Sequence, residues 1–362
     1  AVQEGLLDMV AMTRAHIADP QLVNKLADGR EREIRPCVGA THCMSPQRPV
    51  CIHNAATGRE LNMPQQVKRS DGTIRNVVVV GGGPAGLEAT RVLAERGHKV
   101  TLFEASPKLG GQVLIGAQAS WRGDLTGVVD WRVSEIERLG AEVHTSVFAE
   151  AEDVLSRDAD IVIIATGGIP DLDWLDGVEH STSAWSFLTG SAPVGSSVLV
   201  YDGTGRHPAL QCAEYAVSSG ADTRLISIDG EMAAELTYAE RAIWKQRIYE
   251  LEVDMTFDHR LTRIEKSGNR LTATFINEAT GQLRMHTADQ IVVEHGTVPA
   301  DDLYQKLRKH AGNNGVTDLN ALLLNSRQPC EDGFELHRIG DAVTSRNIAA
   351  AVYDALRLCH VM

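Results

Sequence analysis

Residues 76–86 constrain this chain more than any other stretch. Asn76–Val80 (NVVVV) is a short, β-branched apolar run of the kind that fills a parallel strand buried on both faces. Gly81-Gly82-Gly83-Pro84-Ala85-Gly86 follows at once and opens a helical pattern that lasts to Gly97. A second apolar run, Lys99–Phe103, ends at Glu104, eighteen residues past Gly86. Strand, Gly-x-Gly-x-x-Gly turn, helix and acid-terminated strand together make the full context of a dinucleotide-binding βαβ unit. Gly81 permits the tight turn, Gly83 lets backbone approach a pyrophosphate, and Gly86 lets the helix pack on the strand. The helix start at Pro84-Ala85 turns free amides and a positive dipole end toward phosphate. Glu104 is placed to accept hydrogen bonds from ribose hydroxyls. A glycine-rich turn without a ligand is the plainer alternative, and the surrounding context weighs against it.

The theme repeats. Ser197–Tyr201 leads into Asp202-Gly203-Thr204-Gly205, an Ala-rich helix to Ser219, and a strand Thr223–Ile228 ending at Asp229. Here Pro208 stands where the third glycine belongs. That favours a retained scaffold and makes NAD(H) binding doubtful, although Asp229 would prefer NAD to NADP. Residues 259–295 alternate as a small antiparallel sheet would: Leu261–Ile264, Leu271–Phe275, Arg284–His286 and Gln290–Glu294. Leu336–Ile339, Gly340-Asp341-Ala342 and a last helix through Leu358 return the chain to the first unit. The expected class is therefore α/β, with two Rossmann-like domains of FAD/NAD(P)-binding type at 75–195 plus 325–362 and at 196–324.

Ahead of them, residues 4–15 carry a helical apolar pattern, and Gln21–Leu26 starts a second helix ended near Gly29. Pro36 to Arg69 is polar and loop-rich, and holds Cys37, Cys43 and Cys51. With no signal segment opening the chain, such a cluster suggests a metal site more than disulfides. Cys212, Cys330 and Cys359 are scattered and read as inert core thiols. The five tryptophans show no regular spacing and are assigned to packing. No run approaches the roughly 20 apolar residues of a membrane span. With 35 basic against 48 acidic residues, a basic surface for nucleic acid or anionic membranes is excluded as a general mode of action. A cytoplasmic location and a homo-oligomer are expected.

Several of these pieces resemble known families. Ala165-Thr166-Gly167-Gly168, Ile339-Gly340-Asp341 and Gly110-Gly111-Gln112 resemble motifs of two-dinucleotide flavoproteins. That resemblance implies FAD, or ADP in its place, against Gly81, Gly83, Pro84, Ala85, Gly86, Glu104, Gly111, Gln112, Thr166, Gly167, Gly340 and Asp341. Arg346 and Asn347, before the last helix, would meet the flavin or its pyrophosphate, with ordinary capping as the alternative. His295 either borders the flavin or is a hydrogen-bonded structural residue.

Arg14-Ala-His-Ile-Ala-Asp-Pro20, the cysteine loop, the first unit and the closing Gly-Asp together resemble the C-terminal part of the trimethylamine dehydrogenase and 2,4-dienoyl-CoA reductase family of NADH:flavin oxidoreductases. Pro36-Cys-Val-Gly-Ala40, Val293-Glu-His-Gly-Thr297 and Arg338–Asn347 are most similar to its N-methyl amino acid demethylases, which act on dimethylglycine or N-methylproline. The resemblance implies an upstream (β/α)₈ barrel holding FMN. Residues 1–36 would be its terminal helical segment, with Arg14 on the FMN phosphate, and the chain, starting at Ala1, a piece of a longer protein. It also implies a [4Fe–4S] loop within residues 37–74, with Cys37, Cys43 and Cys51 as ligands. The pattern departs at Ala40, where the family has a cysteine. That leaves open a three-iron cluster, a four-iron cluster completed by His42 or His53, a zinc site, or none.

The implied reaction takes a hydride from an N-methyl carbon to FMN, after which the iminium hydrolyses to formaldehyde and the demethylated amine. Electrons would leave through the cluster toward this half or an electron-carrier protein. Two alternatives stand beside it. One is an NAD(P)H-dependent flavin and iron–sulfur enoate reductase, and the other is a non-catalytic ADP-binding docking scaffold.

Overall fold

The computed structural model describes residues 2–44 and 49–362. Its first sheet grows from the NVVVV run. β1 (Asn76–Val80) lies parallel between β2 (Lys99–Phe103) and β4 (Ile161–Ile164), with β3 (Glu142–His144) beyond β2 and β15 (Glu335–Arg338) beyond β4. A strand apolar at every position needs cover on both faces. Val77 and Val79 pack with helices Pro84–Glu95, Gly127–Arg138 and Ile348–Cys359. Val78 and Val80 face the other way, toward Val154, Tyr304 and Leu307.

The second sheet has the order β6 (Thr182–Ser183), β13 (Gln290–Glu294), β7 (Ser197–Asp202), β8 (Asp222–Ser227) and β9 (Asp254–Thr256), all parallel. Helices His207–Ser218 and Tyr238–Glu250 cover one face. The other packs on an antiparallel sheet of β10 (His259–Ser267), β11 (Arg270–Asn277) and β12 (Leu283–Ala288). Gln290–Glu294 therefore does not continue the antiparallel sheet, as its alternation suggested. All five residues are buried, and Ile291-Val292-Val293 supplies the continuous apolar run that a strand covered on both sides requires.

A two-stranded antiparallel ribbon, β5 (Gly168–Pro170) with β14 (Thr297–Pro299), joins the two units. It pairs two similar turns, Thr166-Gly-Gly-Ile-Pro170 and His295-Gly-Thr-Val-Pro299, so each sheet hands the chain over at an equivalent strand end.

The amino-terminal segment departs from expectation. Residues 4–12 are not helical, and the first helix is Thr13–Ala18, followed by Leu22–Ala27. Leu6 and Met9 are 71% and 83% exposed. A short amphipathic helix is marginal without a partner for its apolar face, and none of the described residues covers this one.

A buried ion cluster ties the loop at 49–54 to the first unit. Glu88 accepts from Arg91 Nη2 at 2.7 Å and from Arg132 Nε at 2.8 Å, while Arg132 Nη2 donates to the carbonyl of His53 at 3.0 Å. Burial opposes the Glu88 charge, but the two guanidiniums prevail and hold its carboxyl down to about 2.

Candidate dinucleotide crevice

The glycines of the fingerprint do what their spacing requires. A Cβ on Gly86 would lie 1.8 Å from the carbonyl oxygen of Gly81, and one on Gly81 would lie 2.3 Å from that of Ala165. Helix and strand are in contact there, and no side chain fits between them. Gly83 differs: a Cβ there meets no protein atom within 4 Å. It is the N-cap of helix Pro84–Glu95 and contributes no side chain to its amides, so backbone faces open space where a phosphate would approach.

The other expected residues converge on this turn. Glu104 Oε2 accepts from the amide of Gly82 at 2.6 Å and Oε1 from that of Ser106 at 2.7 Å, which fixes its carboxylate while leaving lone pairs free. Gly110 donates to the carbonyl of Gly82, and a Cβ on Gly111 would approach Gly83 Cα at 3.2 Å. Gln112 Nε2 lies 3.5 Å from Asp341 Oδ2 and 3.9 Å from the Cβ position of Gly167, so it bridges the two later motifs. Thr166 Oγ1 donates to Ala300. A Cβ on Gly340 would meet Ala85 Cβ at 2.9 Å, so the closing Gly-Asp lies against the helix start. Burial raises the Asp341 carboxyl, and the amide of Arg346 opposes that shift. Asn347 caps the last helix through the amide of Ala350 at 2.9 Å and is exposed. Arg14 is exposed on helix Thr13–Ala18.

This arrangement fits a dinucleotide. Pro84, Ala85, Gly86 and the open backbone at Gly83 would face a pyrophosphate, Glu104 a ribose, and Gln112 and Asp341 the part beyond the phosphates.

The three cysteines of the loop differ in their surroundings. Cys37 is exposed, while Cys43 and Cys51 are half-buried. Burial pushes the Cys51 thiol up, although its sulfur accepts from the amide of His53 at 3.4 Å. His53 contacts the carbonyl of Pro36 through Nδ1, and its Nε2 is buried without a partner. Burial lowers both His53 and His42, so the neutral imidazoles are favoured. Yet among the described residues no three His, Cys, Asp or Glu side chains are gathered where one metal ion could be held. The expected convergence of Cys37, Cys43 and Cys51 is therefore not found. Ala40, where the family has a cysteine, and Ile52 pack against the apolar cluster that holds Val77 and Val79.

Sequence reasoning missed the acids of the second unit. Asp202 and Glu294 face each other as the last residues of β7 and β13, and burial raises both carboxyls. The aspartate that ends β7 was visible; its pairing appeared only once β13 joined the parallel sheet. His295 is hydrogen-bonded, with Nδ1 3.0 Å from Asp171 Oδ2 and its ring 4.4 Å from that of Trp174.

Parallel sheets with a glycine-built crevice at their carboxyl edge define an α/β protein of the nucleotide-binding kind. The chain belongs to the pyridine nucleotide-disulphide oxidoreductase family, whose model matches residues 26–188 and 75–327. It is 47% identical over 365 residues to a multifunctional alkene reductase/demethylase of Caballeronia cordobensis, covering 99% of this chain and 54% of that protein. It is 44% identical to a probable N-methylproline demethylase of Rhizobium meliloti (strain 1021), over 99% and 54% of the two chains. Among solved structures it resembles histamine dehydrogenase from Rhizobium sp. 4-9, with a TM-score of 0.85 and 27% identity over 98% of this chain and 55% of that one. The chain thus spans about half the length of the curated relatives it matches. Among the described residues no helix is long and apolar enough to cross a membrane.

Proposed function

We propose that this chain is the nucleotide-binding, electron-transfer half of a flavin-dependent oxidoreductase that removes N-methyl groups from a methylated amino acid or amine. The observation that carries the reading is the crevice at Gly81–Gly86, open only at Gly83 and ringed by Glu104, Gln112, Gly167 and Asp341. Its similarity to proteins named as demethylases supports the substrate class. FAD, or ADP in its place, is the proposed occupant, and bound FAD would supply a two-electron carrier.

The chain's own residues hold and orient that group. Glu104 fixes the ribose end, helix Pro84–Glu95 balances the diphosphate charge, and Gln112 with Asp341 positions the distal end. The substrate site and FMN belong in this proposal to an N-terminal barrel of the same protein, which would cover the exposed apolar face of residues 2–12. An electron-carrier protein, a homo-oligomeric assembly and a cytoplasmic setting complete it. No step is routed through the cysteine loop.

The test is full-length protein under anaerobic conditions with N-methylproline, sarcosine or dimethylglycine. One formaldehyde per two-electron bleaching of the flavin is expected. Flavin that stays oxidised with every N-methylated substrate contradicts the reading. A second reading, alkene reduction, is favoured by the name of the Caballeronia relative. NADH-dependent loss of a cinnamate-type double bond without formaldehyde release would select it.

A further inference from the structure

The second unit carries the outline of a nucleotide-binding fold, but its phosphate loop is already filled. In the first unit the strand before the glycine turn ends in Val80, and open space lies beyond Gly83. In the second, β7 ends in Asp202, which is 1% exposed. Its Oδ1 accepts from the amides of Thr204 at 3.1 Å and Gly205 at 2.9 Å, and Gly205 is the counterpart of Gly83, where a pyrophosphate would approach backbone. Its Oδ2 is buried and has no partner.

Glu294, 6% exposed, stands opposite Asp202 in register, and its Oε1 accepts from Gly296 at 3.1 Å. Asp229 closes the rim, since a Cβ on Gly205 would lie 2.4 Å from its Oδ2. Arg206, next to Gly205 in the turn, donates to the carbonyl of Arg346 in the first unit at 3.2 Å. A diphosphate entering here would displace a carboxylate from its two amides and meet two further acids.

We propose that the second crevice is closed to NAD(H) and NADP(H) by its own carboxylates, with Asp202 seated on the loop amides in place of phosphate and Glu294 and Asp229 behind it. This goes beyond the demethylase reading and does not rest on it. It makes Asp202 the specificity-determining residue of the second unit. Pro208 lies in the first turn of helix His207–Ser218, which forms normally around it, so proline is not what shuts the site.

The test is equilibrium binding of NADH and NADPH to FAD-loaded protein, followed by calorimetry, with the flavin spectrum as the check on folding. Wild type is expected to show no saturable binding up to about 1 mM. Asp202→Val, which copies the first unit and frees both amides, is expected to gain at least about tenfold in affinity. Asp202→Asn keeps an oxygen on those amides and is expected to gain little. Saturable micromolar NADH binding by wild type would overturn the proposal. So would Asp202→Val that holds its flavin yet gains nothing, or Asp202→Asn that gains as much as Asp202→Val. If Asp202→Val loses its flavin, Asp202→Ala takes its place and the wild-type titration still decides. Formaldehyde release plays no part in these outcomes, so failure here leaves the demethylase reading untouched.

Discussion

At the scale of single residues, the last two glycines of the fingerprint separate binding from folding. A methyl group at Gly86 would press on the carbonyl of Gly81, whereas one at Gly83 would touch no protein atom. Gly83→Ala should therefore leave the urea midpoint nearly unchanged while weakening FAD binding by about tenfold or more, read from flavin fluorescence. Gly86→Ala should lower both. Glu88 belongs to stability alone. Glu88→Gln leaves Arg132 buried with its carboxylate partner gone, which should cost about 3–5 kcal/mol in urea denaturation. The sign with pH follows from the carboxyl being held down in the fold. Its contribution is complete above the unfolded glutamate range, about 4.3, and is lost as pH falls toward 2. The acid limb of a stability profile should therefore be steeper in wild type than in Glu88→Gln.

At the scale of elements, what was legible was whatever a local pattern determines. NVVVV, the glycine turn and KVTLF with its acid gave the first βαβ unit almost to the residue, because strand burial, turn geometry and helix start are each encoded within a few positions. Two elements depart from what their local pattern suggests, because distant partners decide them. Gln290–Glu294 alternates weakly, and its neighbours β6 and β7, distant in sequence, make it parallel. Residues 4–12 have helical periodicity but find no surface to pack on among the described residues. Substituting Leu6 and Met9 by Ser should therefore change stability of this chain by less than about 0.5 kcal/mol. Helix Tyr238–Glu250, by contrast, is anchored by a reciprocal cap between Thr237 and Glu240. Thr237→Ala should cost about 1 kcal/mol in thermal or urea unfolding.

At the scale of the whole molecule, two similar parallel sheets meet through the β5–β14 ribbon, and their crevices have different fates. One keeps open backbone at Gly83, and the other has the amide of the equivalent Gly205 taken by the carboxylate of Asp202. The sequence carried the first fact plainly, in three glycines and an acid. The second depends on where Asp202 and Glu294 fall in register, which no local motif reports. For the cysteine loop the spacing suggests ligands, while Ala40 breaks the pattern and the described residues gather no set of three.

In the proposed function, the crevice at Gly81–Gly86 holds the flavin dinucleotide. Titrating FAD into flavin-free protein by calorimetry, beside Gly83→Ala, tests it most directly. One FAD per chain, bound by wild type and weakened about tenfold or more in Gly83→Ala at unchanged stability, is the result expected. Wild-type protein that binds neither FAD nor ADP, or FAD binding indifferent to Gly83→Ala, would contradict it.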